Sequence, residues 1–222
     1  MSMVFSHVTL GQRVLFASGS AAANVAAEVA RLGAGRVMVI ASESGRDVAA
    51  AVMAAVDVAL RWDDVVQHVP VEIASAARAA AAAARVDAVV CVGGGSATGL
   101  AKAVALTTGL PIVAVPTTYA GSEATNVWGM TEASRKTTGT DDRVLPVSVV
   151  YDPVLTYSLP VGLSVASGLN AAAHCVDSLW APRADPINAA MAVEGLRAMA
   201  TGLPQVTADP SHPAGREAAL YG

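Results

Sequence analysis

Short apolar runs alternate with Ala-rich helical stretches along the first part of this chain. Runs such as RVMVIA over 36–41 are rich in β-branched residues, as buried strands covered on both faces require. The intervening stretches repeat apolar residues at helical spacing, as at Val48, Val52 and Val56. Strands alternating with helices in this way predict a parallel sheet with right-handed crossovers. The predicted strands are 13–18, 36–41, 65–69, 86–92, 111–116 and 144–151, and the predicted helices are 21–32, 45–58, 71–85 and 97–107.

The pattern changes after Thr117. Residues 127–131 and 135–138 predict a short hairpin, and the chain beyond Pro160 predicts helices over 161–180, 186–203 and 215–222. We therefore expect an α/β domain over residues 1–155, followed by a helical domain that begins over 156–222. The helical part is too short to build its own core, so we expect that domain to be incomplete, with a naturally short protein as the alternative.

Composition predicts a soluble cytoplasmic protein without a nucleic-acid or membrane partner. Hydrophobic residues make up 54% of the chain and charged residues 14%, so a large core is available. The net charge of −4 gives no general attraction to nucleic acid or to an anionic membrane. Cys91 and Cys175 lie in apolar segments, which favours reduced core thiols. Neither a signal peptide nor an uninterrupted apolar run of about 18 residues is visible.

A glycine turn follows the most apolar predicted strand. Gly93, Gly94 and Gly95 lack β-carbons, which lets backbone N–H groups approach an anion closely and permits positive φ. Ser96 is placed to cap the helix that follows and to add a hydroxyl donor. Because a helix N-terminus carries partial positive charge and unpaired donors, the turn predicts a phosphate site. A tight strand-to-helix turn without a ligand is the alternative.

A second polar segment, 117–123, follows the next predicted strand at the sheet edge where ligands of open α/β folds bind. Together with the glycine turn it belongs to an ordered set of motifs that resembles the iron-containing (group III) alcohol dehydrogenase family, and most closely its maleylacetate reductase branch. The resemblance implies a dehydroquinate-synthase-like fold with an active site between the two domains. The α/β domain over 1–155 would then bind a dinucleotide, and 156–222 would be the N-terminal part of an all-helical domain. The motifs are Gly93-Gly94-Gly95-Ser96…Lys102, Pro116-Thr117-Thr118…Gly121-Ser122-Glu123, Arg135-Lys136, Tyr151-Asp152-Pro153 and Gly168-Leu169-Asn170…His174.

Two departures from the metal-using members favour that branch. Gly99 stands where those members carry an Asp, and Asn170 with His174 stands where they carry an Asp and a His as metal ligands. Residues four apart share a helix face, but a neutral amide is a poorer ligand for a divalent cation than a carboxylate. We therefore expect no metal. Asp177 either orients the His174 imidazole or is an exposed helix charge.

The resemblance implies a nicotinamide dinucleotide, NAD(H) and possibly NADP(H). Its pyrophosphate would bind the turn, and its adenosine ribose would lie at the end of the second strand, where an acidic residue favours NAD over NADP. Arg46 follows closely, so we expect NADH use with NADPH tolerated. Lys102 either supports the turn by its charge or is a solvated helix lysine. The implied cofactor-binding residues are Ser42, Glu43, Gly93, Gly94, Gly95, Ser96, Thr117, Thr118, Ser122 and Lys136.

For the reaction, the resemblance implies NAD(P)H-dependent reduction of the enone double bond of maleylacetate to 3-oxoadipate in aromatic-compound degradation. An enolate oxygen must then be stabilised and a proton supplied, and Asn170 and His174 are the implied catalytic donors. Two alternatives are a metal-dependent alcohol or polyol dehydrogenase and a nucleotide-binding fragment without turnover. An exposed edge strand predicted over 4–10 could pair across a two-fold axis, so we expect a homodimer.

Overall fold

The structure is a computed structural model that describes residues 4–182 and 184–222, and it contains two compact units. Residues Gln12–Leu155 form an α/β unit, and Thr156–Gly222 form a helical unit together with the described residues up to Gly11. The sequence assigned those first residues to the α/β domain instead. No helix among the described residues combines the length and the apolarity needed to cross a membrane.

The α/β unit is built on a six-stranded, entirely parallel sheet in the order β1-β8-β5-β4-β2-β3. A separate antiparallel hairpin, β6–β7, lies between β5 and β8 in the chain. The strands are β1 Arg13–Phe16, β2 Val37–Ile40, β3 Val58–Trp62, β4 Ala88–Gly93, β5 Ile112–Pro116, β6 Val127–Glu132, β7 Arg135–Thr140 and β8 Ser148–Tyr151. The helices of this unit are α1 Ala21–Arg31, α2 Arg46–Val52, α3 Val71–Ala83 and α4 Gly95–Thr108.

Each face of the sheet is covered by a pair of helices, which explains why the central strands are apolar at every position. Residues at alternate positions, such as Val89 and Cys91 of β4, pack with the small side chains of α3 and α4. The intervening positions, such as Val90 and Val92, pack with α1 and α2 on the other face. The predicted parallel α/β architecture is confirmed.

The third strand is the main correction to the predicted elements. It runs over Val58–Trp62, where the sequence predicted the end of a helix, and residues 65–69 form no strand. The predicted helix over 45–58 is only Arg46–Val52, preceded by a 3-10 turn at Glu43–Gly45. Val52, Val56 and Val58 repeat at intervals that suit both a helix and a strand, so periodicity misplaced the boundary. Residues 4–10 also form no strand, which removes the predicted edge pairing.

The helical unit contains α5 Val161–Trp180, α6 Pro186–Ala208 and α7 Pro213–Tyr221. Asp185 caps α6 by accepting the backbone N–H groups of Ile187 and Asn188, and its other carboxylate oxygen lies 3.0 Å from Nδ1 of His7. The fully buried guanidinium of Arg216 donates to Ser164 Oγ and to the carbonyls of Leu159 and Pro210. Several apolar side chains of α5 and α6 are exposed, namely Leu163, Leu169, Val176, Leu179, Trp180, Ile187, Met191 and Val193.

Candidate nucleotide-binding site

The glycine turn joins the buried strand β4 to helix α4 at the carboxyl edge of the sheet. Gly93 ends the strand with φ of +150°, a conformation that glycine tolerates and other residues rarely adopt. Helix α4 begins at Gly95, with Gly94 as its N-cap residue and no capping side chain. Ser96 therefore lies inside the first turn, and the prediction that it caps the helix is wrong. The first N–H groups of α4 are left without a side-chain cap, as an anion site at a helix N-terminus requires.

The predicted threonine pair lies directly against this turn. The backbone N–H of Thr117 donates to the carbonyl of Gly93 at 3.1 Å, which ties the segment after β5 to the end of β4. A β-carbon built on Gly94 would lie 2.9 Å from Oγ1 of Thr118 and 3.0 Å from its Cγ2. Glycine at position 94 is thus required by close approach, and the two predicted phosphate-binding segments form one surface.

A cavity of about 410 Å³ opens beside the turn, within the α/β unit. It brings together four of the predicted cofactor residues, Gly95, Ser96, Ser122 and Lys136. The hairpin contributes Trp128, whose indole packs on Gly139 of the paired strand. The remaining lining residues are Gln67, His68, Val69, Gly99, Thr125, Val127, Gly129 and Thr138.

Lys102 is buried, so the alternative that it is a solvated helix lysine is wrong. Its side chain is 1% exposed, and Nζ donates to the carbonyls of Ser122, Thr125 and Val127 at 2.6–2.8 Å and to Thr125 Oγ1 at 3.1 Å. These three partners all line the cavity. Lys102 therefore holds the segment that carries Ser122 against α4, and it acts as a positioning residue.

A buried acid lies next to this lysine. Glu123 is 3% exposed, accepts the phenol O–H of Tyr151 at 3.0 Å, and its carbonyl accepts from Gln12 Nε2 at 2.8 Å. Burial lowers the pKa of Lys102 to about 8, an effect that the negative charge of Glu123 partly offsets. Burial also raises the pKa of Glu123. Burial raises the pKa of the Cys91 thiol to about 12, so this core cysteine stays a thiol at neutral pH.

The segment before α3 reaches over α4 in a strained conformation. His68 and Val69 have φ of 64° and 49°, which is unusual for any residue with a β-carbon and rare for a β-branched one. Such conformations cost about 1–3 kcal/mol each and persist only where neighbours hold them. Thr131 of the hairpin is that neighbour, because its N–H donates to Val69 O at 3.0 Å and its hydroxyl to His68 O at 2.9 Å.

Gly99 accommodates this segment. A β-carbon at position 99 would lie 2.9 Å from Cγ2 of Val69. The residue that the sequence connected with metal use is therefore explained by packing, since glycine leaves room for Val69 beside α4.

Replacing Gly99 with alanine is expected to lower the free energy of unfolding by about 1–2 kcal/mol, because overpacking outweighs the helix propensity gained. Val69→Ala in the same chain should remove most of that loss. Urea unfolding of both single variants and the double variant measures the coupling. Gly162→Ala is the matched control, since that glycine lies in α5 with open space around it and should gain stability. Additive effects of the two changes at 99 and 69 would contradict the packing explanation.

The predicted adenosine end lies after β2. Ser42 precedes a 3-10 turn that contains Glu43, and its hydroxyl lies 3.1 Å from that of Ser44. Arg46 pairs with Asp63 at 2.9 Å and with Glu43 at 3.7 Å. The guanidinium is thus paired with two acids, but all three side chains are more than half exposed, so the pairs are weak. A small concavity at this place is lined by Val39, Ala41, Arg46, Arg61, Trp62 and Asp63.

The two predicted catalytic donors lie in the other unit. Asn170 and His174 are one turn apart on α5, and both are exposed, as is Asp177. Neither Asn170 nor His174 lines the cavity of the α/β unit. Their catalytic roles therefore remain predictions, and the same holds for the cofactor-binding roles of the residues around the turn.

Sequence reasoning missed most of the cavity wall. Gln67, His68 and Val69 were assigned to a buried strand, and Trp128 was assigned to a hairpin without a role. One signal in the sequence could have indicated this wall. The predicted hairpin that contains Thr131 is inserted between two parallel strands, and an insertion at the carboxyl edge of a sheet commonly lines the ligand site. The long-range pairing between Thr131 and Val69 carries no local sequence signal.

Taken together, a parallel sheet covered by helices and a glycine turn beside a cavity at its carboxyl edge define an open α/β protein. Comparison with known proteins gives the family. The chain belongs to the iron-containing alcohol dehydrogenase family, whose model matches residues 11–153.

Relatives and solved structures agree with this assignment. The chain is 46% identical over 222 residues to a maleylacetate reductase of Delftia acidovorans, across 99% of this chain and 63% of that protein. A crystal structure of an iron-containing alcohol dehydrogenase from Corynebacterium glutamicum matches with a TM-score of 0.97 and 58% identity, across 100% of this chain and 62% of that one. The maleylacetate reductase of Agrobacterium tumefaciens matches with a TM-score of 0.95 and 43% identity, across 99% of this chain and 63% of that one. The resemblance to that branch is confirmed, and the chain spans less than two thirds of the length of these relatives.

The family match corrects one expectation. The sequence predicted no metal, whereas the matched family is described as iron-containing. Within the described part of this chain, no three His, Cys, Asp or Glu side chains lie close enough together to hold a metal ion. Asn170 and His174 offer one amide oxygen and one imidazole nitrogen, so the described residues alone do not form an iron site. A solved relative at 25% identity, the sulfoacetaldehyde reductase of Bifidobacterium kashiwanohense, matches with a TM-score of 0.91, covers 99% of this chain and 66% of that one, and was crystallised with NAD+.

Proposed function

We propose that the protein is a maleylacetate reductase that uses a nicotinamide dinucleotide as the hydride donor. One observation carries the proposal. The turn of three glycines at the carboxyl edge of the sheet lies against Thr118, and beside it opens a cavity large enough for half a dinucleotide. The 46% identity to a curated maleylacetate reductase supports the substrate class.

The proposed reaction adds hydride to a carbon–carbon double bond conjugated with a ketone. Hydride leaves C4 of NADH and forms a C–H bond at the carbon β to the ketone, while the π electrons move onto the ketone oxygen as an enolate. Protonation at the carbon next to the ketone then gives the saturated keto diacid 3-oxoadipate. NAD+ is the oxidised product, so one hydride and one proton account for the whole change.

The protein must orient the nicotinamide, stabilise the enolate oxygen and supply the proton. In this proposal the pyrophosphate binds the N–H groups of Gly94, Gly95 and Ser96, with Thr117 and Thr118 beside it. Ser122 and Lys136 contact the nicotinamide side, and Ser42 and Glu43 the adenosine ribose. Asn170 donates to the enolate oxygen, and His174 donates to it or supplies the proton.

The expected result is NADH oxidation that depends on added maleylacetate, followed as loss of absorbance of the reduced nicotinamide. His174→Ala should reduce turnover at least about hundredfold while the Kd for NADH stays within about threefold, because the residue acts on substrate rather than on nucleotide. Val176→Ala is the matched control, at an exposed position on the same helix, and it should leave both turnover and the Kd for NADH unchanged. NADH binding without any maleylacetate-dependent oxidation would favour a nucleotide-binding function without turnover.

The coenzyme preference belongs to the same proposal. We expect NADH to be preferred, because Arg46 is already paired with Asp63 and Glu43. NADPH should be tolerated, because these ion pairs are exposed and weak, so that Arg46 can exchange them for a 2′-phosphate. A Kd ratio of NADPH to NADH above about a hundredfold, equivalent to about 2.7 kcal/mol, would overturn the tolerance of NADPH.

An alcohol or polyol dehydrogenase is the second candidate, supported by the 58% identity to a structure described only as an iron-containing alcohol dehydrogenase. Alcohol-dependent reduction of NAD+ in place of maleylacetate-dependent oxidation of NADH would select it. A homodimer and a cytoplasmic location remain predictions, and the edge strand that first suggested the dimer is absent from residues 4–10.

A further inference from the structure

His68 and Val69 form a strained pair beside the glycine turn, and no role proposed above uses them. Both have a left-handed backbone, with φ of 64° and 49°. Both line the cavity that also contains Gly95 and Ser96. Strain of this kind is concentrated at functional sites, where the surrounding structure holds a side chain in a required position.

Val69 and His68 differ in how much their side chains contribute to packing. Val69 is buried and packs beside Gly99, so its place is explained by the core. His68 is exposed and adds no packing to the core. Its backbone is nevertheless fixed, because the hydroxyl of Thr131 donates to its carbonyl at 2.9 Å. A fixed backbone and an exposed imidazole in a cavity are features of a ligand contact rather than of a structural residue.

The lining of the cavity indicates which part of a dinucleotide it would receive. The cavity extends from the N-terminus of α4 to Lys136 and Trp128 on the hairpin. The predicted adenosine end, around Ser42 and Arg46, belongs to a different concavity at the end of β2 and β3. A pyrophosphate on the turn would therefore direct the nicotinamide riboside half into this cavity.

We propose that His68 forms a hydrogen bond with the nicotinamide riboside half of the bound dinucleotide and positions it against the hairpin. The proposal rests on the proposed function, because it assumes that the turn binds a dinucleotide. An imidazole both donates and accepts hydrogen bonds, as the ribose hydroxyls and the carboxamide of a nicotinamide nucleotide require. The left-handed backbone at position 68 sets the direction of the imidazole, and a backbone in the usual right-handed or extended region would direct it elsewhere.

Two substitutions separate the side chain from the backbone strain. His68→Gly removes the imidazole and suits a positive φ, so the protein should fold at least as stably as the wild type. His68→Asn keeps an amide donor and acceptor and also tolerates the left-handed region. Val66→Ala is the matched control, in the same segment but outside the lining of the cavity.

The test compares the Kd values of NADH and ADP, which has the adenosine and the pyrophosphate but lacks the whole nicotinamide riboside. For His68→Gly we expect the Kd of NADH to rise about tenfold, equivalent to about 1.4 kcal/mol, while the Kd of ADP stays within about twofold. His68→Asn should recover part of the loss, and Val66→Ala should change neither value. Unchanged NADH affinity in His68→Gly, or equal weakening of both ligands, would overturn the proposal. Failure of the wild-type protein to bind either ligand would instead overturn the proposed function together with it.

Discussion

Lys102→Met is expected to weaken NADH binding at least about tenfold and to lower the free energy of unfolding by about 2–4 kcal/mol. Methionine fills a similar volume but has no donor. The carbonyls of Ser122, Thr125 and Val127 then lose the ammonium that bonds them at 2.6–2.8 Å. Each hydrogen bond to a charged group contributes about 1.5–3 kcal/mol, and part of the loss is offset because no charge has to be buried.

The effect on binding follows from where these carbonyls lie. Ser122, Thr125 and Val127 line the cavity beside the glycine turn, so release of this segment changes the shape of the site. Binding titrations with NADH and urea unfolding measure the two effects on the same samples. Arg85→Met is the matched control, because Arg85 is an exposed cation just after α3, on the edge of the sheet opposite to the turn. Wild-type affinity and stability in Lys102→Met would show that other contacts hold the segment.

The same residue gives a pH dependence whose sign can be stated. Burial lowers the pKa of Lys102 from 10.5 to about 8, so between these values the folded state binds fewer protons than the unfolded state. Stability rises with pH wherever the unfolded state binds more protons. The contribution of Lys102 to the free energy of unfolding should therefore become more favourable between about pH 8 and pH 10.5. The difference in stability between wild type and Lys102→Met, measured across this interval, isolates that contribution from those of other groups.

Local sequence was sufficient for the central strands and for the turn. Val89 to Val92 are apolar on both faces because helices cover both faces, and three successive glycines have few alternatives to a tight turn. Periodicity did not predict β3 correctly. This strand lies at the edge of the sheet, is only partly buried, and follows α2 after a short and mostly apolar segment. Edge strands are the least constrained by burial, so their sequence carries the weakest signal.

The parts of the site that the sequence could not predict depend on contacts between distant residues. Lys102 follows the glycine turn on α4, but its partners come from residues 122–127, and only the fold reveals that the ammonium is buried among carbonyls. His68 reaches the cavity because Thr131, far along the chain, holds its carbonyl. Gly99 was noticed from the sequence, but its neighbour Val69 was not. The interpretation of Gly99 as a sign of metal-free chemistry is wrong, since packing accounts for this glycine and the family is iron-containing.

Gly94→Ala is expected to raise the Kd for NADH by at least about thirtyfold, equivalent to about 2 kcal/mol. The backbone at position 94 has φ of −89° and ψ of −160°, which alanine adopts without strain, so the effect comes from space alone. The added β-carbon would lie 2.9 Å from Oγ1 of Thr118. We expect it also to hinder the approach of the pyrophosphate to the first N–H groups of α4. NADH titration measures the affinity, and urea unfolding checks that the turn still folds. Gly35→Ala is the matched control, because its β-carbon would meet only ordinary contact, 4.0 Å from a carboxylate oxygen of Asp87.

A second change distinguishes the two ways in which this alanine could act. Thr118→Ala removes the hydroxyl and the methyl group that the new β-carbon would touch, while its own β-carbon would lie at 3.6 Å. Because Thr118 is itself proposed to lie beside the pyrophosphate, the double variant is compared with the single variant Thr118→Ala. If the clash with Thr118 alone displaces the turn, the double variant should match Thr118→Ala in both stability and NADH affinity. If the β-carbon blocks the pyrophosphate directly, the double variant should match Thr118→Ala in stability but bind NADH more weakly, and we expect this second result because the anion must approach the backbone itself. Wild-type affinity in Gly94→Ala would mean that the dinucleotide does not bind at this turn.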